Sequence, residues 1–151
     1  MYERILVPLD GSDTSTRGLR EAIALARTQG AKLLLLHVID DYPLLLQSGS
    51  EPHHFDQLRQ RLRDEGQRLL DAAQAVVHEA GLACEAVLRE TASSRVSQTI
   101  TDEALETGCS LIVIGTHGRR GLDRYLLGSN AEAVARSSPV AVLLVRGDTP
   151  A

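Results

Sequence analysis

The sequence predicts an α/β fold built on a single open five-stranded parallel sheet with helices on both faces. Strand-like and helix-like stretches alternate from end to end, the pattern of crossover units. The run KLLLLHVI is apolar at nearly every position, as a parallel strand covered on both faces should be, and Asp10 and Gly115 follow the ends of two strand-like runs. Crossovers are right-handed, and ligands on such sheets sit beyond the carboxyl ends of the strands, where the strand order reverses.

Each element has its own signal. The run RILVPL is the first strand and ends at Asp10; GSDTSTRG then supplies helix-start residues before Leu19, Ala22, Ile23 and Ala26, which share one helical face, and Gly30 stops that helix. KLLLLHVI is a central strand. From Tyr42 to Pro52 two prolines, a glycine and serines without a steady period predict a mobile loop. Leu58, Leu62, Leu69, Ala73, Val76 and Ala80 mark a long amphipathic helix ended by Gly81. ACEAVLR alternates like a strand, and Ser94 to Thr107 form a third helix with Val96, Ile100 and Ala104 inward. SLIVIG, the short helix NAEAVARS and the strand VAVLLVR complete the chain, with strands one and four expected to flank the switch point because Asp10 and Gly115 follow their ends.

At 151 residues and 43% hydrophobic content the chain is one domain, long enough to bury roughly two thirds of its unfolded surface. The formal charge of -4 and scattered arginines provide no basic stripe, so nucleic acid is not an expected partner. No apolar run approaches the about 20 residues that cross a bilayer, and MYERILVPLD lacks a signal-peptide core, so no membrane association and a cytoplasmic location are expected. Cys84 and Cys109 are expected to be reduced, buried and inert.

The stretch GTHGRRGLDRYLLGSN, residues 115 to 130, carries the chemistry. A strand end, a glycine-containing loop and a helix start follow one another. Glycines admit backbone N–H groups close to a ligand, and the helix start adds unpaired donors and partial positive charge, so together they suit an anion. The stretch is not a lysine-based phosphate loop, because the chain's only lysine is Lys32, and its glycines are too widely spaced for the dinucleotide fingerprint. Arg119, Arg120 and Arg124 are the local cations. The alternative reading is a capped corner, with Ser129 and Glu132 forming an S-x-x-E capping box and no ligand.

With ILVPLDGS at the start, LLLLHVID at the second strand and the G-x2-G-x9-G-S spacing of Gly115, Gly118, Gly128 and Ser129, the sequence resembles the universal stress protein family, in its nucleotide-binding branch. The resemblance spans residues 1–147, leaving a short tail at 148–151, and is weakest at 42–55. It implies an ATP-binding, Rossmann-like fold of the adenine nucleotide alpha hydrolase type, with strand order 3-2-1-4-5. Carried over by motif, it places Asp10 toward the ribose and adenine and the Val38 backbone at the adenine edge. Gly115, Gly118, Gly128 and Ser129 would hold the phosphates, His117, Arg119 and Asn130 would line the pocket, and Pro8, Leu9 and Ile114 would wall it. It also implies a homodimer paired through the last strand, whose Val140, Val142 and Leu144 carry no charge or internal proline to block an edge.

Other residues have blander readings. Asp10 suits a turn as well as a ligand, His37 suits a hydrogen-bonded core position, and His53 and His54 lack a matched set of metal ligands. RQRLRDEGQR reads as a solvated helix face. Three functions follow. The leading one is a dimeric regulatory or sensor protein of the stress response whose bound ATP orders the loop from Arg119 to Leu127 for an unknown protein partner. The others are a slow ATPase using Mg or Mn on the phosphates, and a nucleotide-free dimeric interaction protein. No recognisable catalytic set accompanies Asp10 and Asp123, so hydrolysis is expected to be slow at most.

Overall fold

The computed structural model describes residues 1–47, 52–93, 95–117 and 127–147. The elements run β1 (Arg4–Pro8), α1 (Asp13–Gln29), β2 (Lys32–Asp40), α2 (Tyr42–Gln47), α3 (Pro52–Glu79), β3 (Cys84–Thr91), α4 (Val96–Glu106), β4 (Leu111–Gly115), α5 (Ser129–Ser137) and β5 (Ala141–Val145). The strands form one parallel five-stranded sheet in the order β3-β2-β1-β4-β5. The fold class and strand order are those expected from the sequence.

Alternation along each strand divides the core in two. Ile5, Val7, Leu33, Leu35, Leu111 and Val113 point to the face covered by α1 and α3, where Leu19, Ala22, Ile23 and Ala26 of α1 meet them. Leu6, Leu34, Leu36, Ile112 and Ile114 point to the other face, against Ile100 and Ala104 of α4 and Ala131 and Val134 of α5. Truncating a fully buried Leu6 or Ile112 to Ala would cost about 2–5 kcal/mol, as core deletions do.

Two expectations about elements need correction. Tyr42–Gln47 is helix α2, not loop: Asp40 Oδ1 accepts from Tyr42 N at 3.0 Å, Pro43 lies in the first turn of α2, and Pro52 is the first residue of α3. Proline's missing N–H costs nothing in a first turn, so here both prolines mark helix starts. Residues 48–51 lie outside the described residues. The inward stripe of α3 is also rotated from the expected one. Gly66, Leu70, Ala73 and Val77 are buried, whereas Leu58, Leu62, Leu69 and Ala80 are partly exposed and Val76 is 45% exposed. The apolar pairs Leu69–Leu70 and Val76–Val77 satisfy two helical phases, and contact with the sheet selects one.

Candidate functional site

Four short segments meet at the carboxyl end of the sheet. β1 stays in register with β2 through Pro8 and Leu36, and β4 stays in register with β5 through Gly115 and Val145. The β1–β4 ladder joins only Ile5 with Leu111 and Leu6 with Ile112. The two strands therefore part toward their carboxyl ends, which opens a crevice at the point where the strand order reverses.

One wall of the crevice is the β1–α1 turn. Leu9 N donates to Leu36 O at 2.8 Å, prolonging the ladder by one bond. Gly11 takes φ 82°, the left-handed region that glycine tolerates, and reverses the chain. Asp10 Oδ1 accepts from Ser12 N at 2.9 Å, and the Ser12 hydroxyl caps α1 by accepting from Ser15 N at 3.2 Å. Asp10 is half-buried at the mouth.

The opposite wall is the end of β4. Gly115 lies so close to the first turn of α1 that a Cβ there would sit 2.7 Å from Thr14 C and 2.9 Å from Ser15 N. The Thr14 hydroxyl donates to His117 O in a short hydrogen bond, and the Ser12 hydroxyl reaches the same carbonyl at 3.4 Å. Gly115 is thus required by packing, whatever the crevice holds. Thr116 N donates to Val145 O at 2.9 Å, and Gly128 N returns to Thr116 O at 2.6 Å, which brings the start of α5 to the end of β4.

Helix α5 begins differently from the capping-box expectation. Its N-cap is Gly128, with no side-chain hydrogen bond, and Ser129 is the first helical residue. Glu132 turns away, accepting from Arg136 at 2.7 Å. The helix start therefore presents N–H groups without a side-chain acceptor, beside the half-buried Gly128 and the exposed Ser129 and Asn130. At the end of β4, His117 Nδ1 and Thr116 Oγ1 are buried with no hydrogen-bond partner among the described residues.

Val38 continues the same rim. Because the Leu36 carbonyl points toward β1, strand alternation turns the N–H and C=O of Val38 to the same edge, beyond the point where β1 leaves it. Pro8, Val38 and Ile114 share the α4–α5 face of the sheet, and Leu9 is buried on the α1–α3 face. Gly118, Arg119, Arg120, Asp123 and Arg124 lie outside the described residues.

Several polar residues near this end of the sheet escaped the sequence reading. Asp41 follows β2, is 97% buried, and has Oδ2 3.2 Å from Arg59 Nε while Oδ1 has no partner among the described residues. Arg59 and Arg63 of α3 both bind Glu90 of β3, Arg59 at 2.5 Å. Burial pushes the Asp41 carboxyl above its ordinary range, opposed first by Arg59. Hydrogen bonding from Arg63, and then from Arg59, holds Glu90 down to about 2 against its partial burial. The charge run of α3 is therefore not wholly a solvated face. On the other side of the sheet Arg89 forks onto the buried Glu103 at 2.7 and 3.1 Å. These pairs span elements, and only helical phase, combined with register, could have signalled them.

Cys109 is buried and Cys84 half-buried, both are free thiols, and burial raises both above the usual thiol range. His37 is half-buried and hydrogen-bonded, with Nδ1 2.6 Å from Leu9 O; His53 and His54 are exposed. Val140, just before the outer strand β5, and Val142 within it are half-covered, and Leu143 and Leu144 are 38% and 37% exposed. Two concave surfaces lie beside the crevice: an apolar hollow of about 250 Å³ between α1 and α3, and a shallow groove of about 520 Å³ along β5, lined by Arg17, Leu143 and Arg146. Among the described residues no helix is long and apolar enough to cross a membrane.

Comparison with known proteins agrees with this geometry. The model of the universal stress protein family matches residues 1–146. The universal stress protein YxiE of Bacillus subtilis is 35% identical, over 97% of this chain and all of its own length. The solved structure of MJ0577, a universal stress protein of Methanocaldococcus jannaschii, superposes with a TM-score of 0.85 at 25% identity, covering 99% of each chain. A universal stress protein solved in complex with cAMP superposes with a TM-score of 0.70 at 26% identity, covering 97% of this chain and 99% of its own.

Proposed function

This chain belongs to the universal stress protein family, and from that premise we propose that it binds ATP in the crevice between β1 and β4 and acts as a dimeric regulatory protein. The observation that carries the proposal is the parting of β1 from β4 at the switch point, with the uncapped start of α5 beside it. An anionic group fits a helix start whose N-cap makes no side-chain hydrogen bond, and the buried His117 Nδ1, which has no partner among the described residues, is a second polar group that could take one. The similarity to a relative solved with cAMP supports an adenine nucleotide.

The proposed roles come from the family resemblance, and the geometry is compatible with them. The Val38 N–H and C=O offer one donor and one acceptor to a base edge, Asp10 is placed for the ribose hydroxyls, and Gly128, Ser129 and Asn130 receive phosphate. Gly118 and Arg119 join them by motif. A Mg or Mn ion would be held chiefly by the phosphates, where it would screen their charge. With no catalytic set beyond Asp10 and Asp123 in the motif, the bound nucleotide acts as a signal more than as a substrate. Partner choice and cytoplasmic location belong to the same proposal, as does dimerisation through β5, where Val140, Val142 and Leu144 supply apolar surface on an unblocked edge.

Titrating ATP, AMP and cAMP into nucleotide-free protein by calorimetry tests the reading. Asp10→Ala should weaken binding by about tenfold or more, the loss of a hydrogen bond to a charged group. Equal affinity in the wild type and Asp10→Ala would remove Asp10 from the site, and no heat with any of the three nucleotides would remove the site itself.

A further inference from the structure

His37 is tied to both neighbours of the proposed nucleotide site in a way its family motif does not explain. Its Nδ1 lies 2.6 Å from Leu9 O, the carbonyl immediately before Asp10. A carbonyl oxygen only accepts, so Nδ1 must carry the proton in this bond. Leu9 is thereby held at both backbone groups by consecutive residues of β2, its N–H by Leu36 and its C=O by His37.

The imidazole is itself fixed from behind. Gly66 of α3 is buried against it, and a Cβ there would stand 2.7 Å from His37 Cδ2 and 3.3 Å from Nε2. The ring therefore fills the space between the α3 backbone and the β1 exit. On the far side of Asp10, Ser12 N holds the carboxylate through Oδ1. Gly11 lies between Asp10 and Ser12 with positive φ, so the turn is anchored at Leu9 and at Ser12, and Asp10 is set between the anchors.

We propose that His37 is the positioning residue for Asp10: its Nδ1–H, backed by Gly66, fixes the Leu9 carbonyl and so aims the Asp10 carboxylate at the ribose of the bound nucleotide. The proposal rests on the nucleotide-binding reading above for its consequence, and on the Leu9 and Ser12 contacts for its geometry. Three variants separate its parts. His37→Asn keeps an amide N–H near the position of Nδ1, His37→Leu removes the donor while keeping bulk, and Gly66→Ala leaves the donor but drives a methyl group into the ring.

The first readout needs no ligand: hydrogen exchange at the Ser12 amide, which Asp10 Oδ1 protects, together with the nitrogen NMR signature of the His37 tautomer. Ser12 exchange should rise about tenfold in His37→Leu, stay near wild type in His37→Asn, and rise in Gly66→Ala, the scale of one lost hydrogen bond. The wild-type ring should show the proton on Nδ1. The second readout is the dissociation constant for ATP, expected to follow the same order. If the wild type fails to bind ATP while Ser12 exchange follows that order, the nucleotide reading fails and the positioning role stands. A proton on Nε2 alone, or equal Ser12 exchange in the Leu and Asn variants, overturns the role of His37.

Discussion

Replacing Gly115 by alanine should destabilise the protein sharply, although the change adds one methyl group. Its Cβ would lie 2.7 Å from Thr14 C, 2.8 Å from Thr14 O and 2.9 Å from Ser15 N. All three are backbone atoms, so no side chain can rotate away. The turn of α1 that carries them is pinned by the Ser12 cap and by the Thr14 bond to His117 O, so relief requires moving α1 away from β4. Overpacking of this kind costs about 1–3 kcal/mol, and a backbone obstruction puts Gly115→Ala at the upper end, about 2–3 kcal/mol. For a chain of this length that corresponds to a fall in Tm of roughly 4–12 °C. Gly18→Ala is the internal control: its Cβ meets nothing closer than Gly115 N at 3.6 Å, and alanine in a helix interior gains about 0.5–1 kcal/mol over glycine. Urea denaturation of the two variants with unchanged slope should therefore move the midpoint in opposite directions. A Gly115→Ala midpoint within about 0.5 kcal/mol of wild type would refute the claim that α1 and β4 are locked together at this position.

The remaining predictions concern charge and assembly. Glu90 has its carboxyl lowered to about 2 in the folded protein, so its stabilisation is present above the ordinary carboxylate range and is lost as pH falls from about 4.5 toward 2; Glu90→Gln should flatten the pH dependence of urea stability in that window. Asp41 has the opposite sign, because burial raises its carboxyl: its ionised form opposes folding as pH rises through the raised value, so Asp41→Asn should leave stability at neutral pH unchanged or higher, while Glu90→Gln lowers it. Glu103→Ala strips the acceptor from Arg89 inside a buried site and should cost about 2–4 kcal/mol, less than a fully buried pair because Arg89 is half exposed; thermal unfolding measures it. Leu144→Arg on the β5 edge should yield a monomer by sedimentation if the homodimer pairs there, and an unchanged mass would remove that strand from the interface.

The parallel sheet was legible because KLLLLHVI and SLIVIG are too short for helices and too apolar for exposed strands, and because Asp10 and Gly115 mark two strand ends that had to be neighbours. Helix α2 was not legible, since six residues carry less than two turns of periodicity and Pro43 reads as a breaker unless its first-turn position is known. Ser129 fitted a capping box by spacing alone, but the helix starts one residue earlier than that box requires, with Gly128 as its N-cap. Gly115 was read as a ligand glycine, and the close approach of α1 provides a packing reason for it as well. The Asp41–Arg59–Glu90–Arg63 cluster stayed hidden because its partners lie on α3, on β3 and just past the end of β2, brought together by the register of β2 with β3 and by the phase of α3.

The central claim is that the crevice between β1 and β4 holds an adenine nucleotide, and its most direct test is to denature the purified protein and identify what it releases by chromatography, followed by titration of the emptied protein with ATP. The account predicts released ATP or saturable rebinding, both lost in Gly118→Val, whose glycine belongs to the phosphate motif. No released nucleotide and no heat at millimolar ATP would contradict it, and would leave residues 115–130 without a phosphate-binding role.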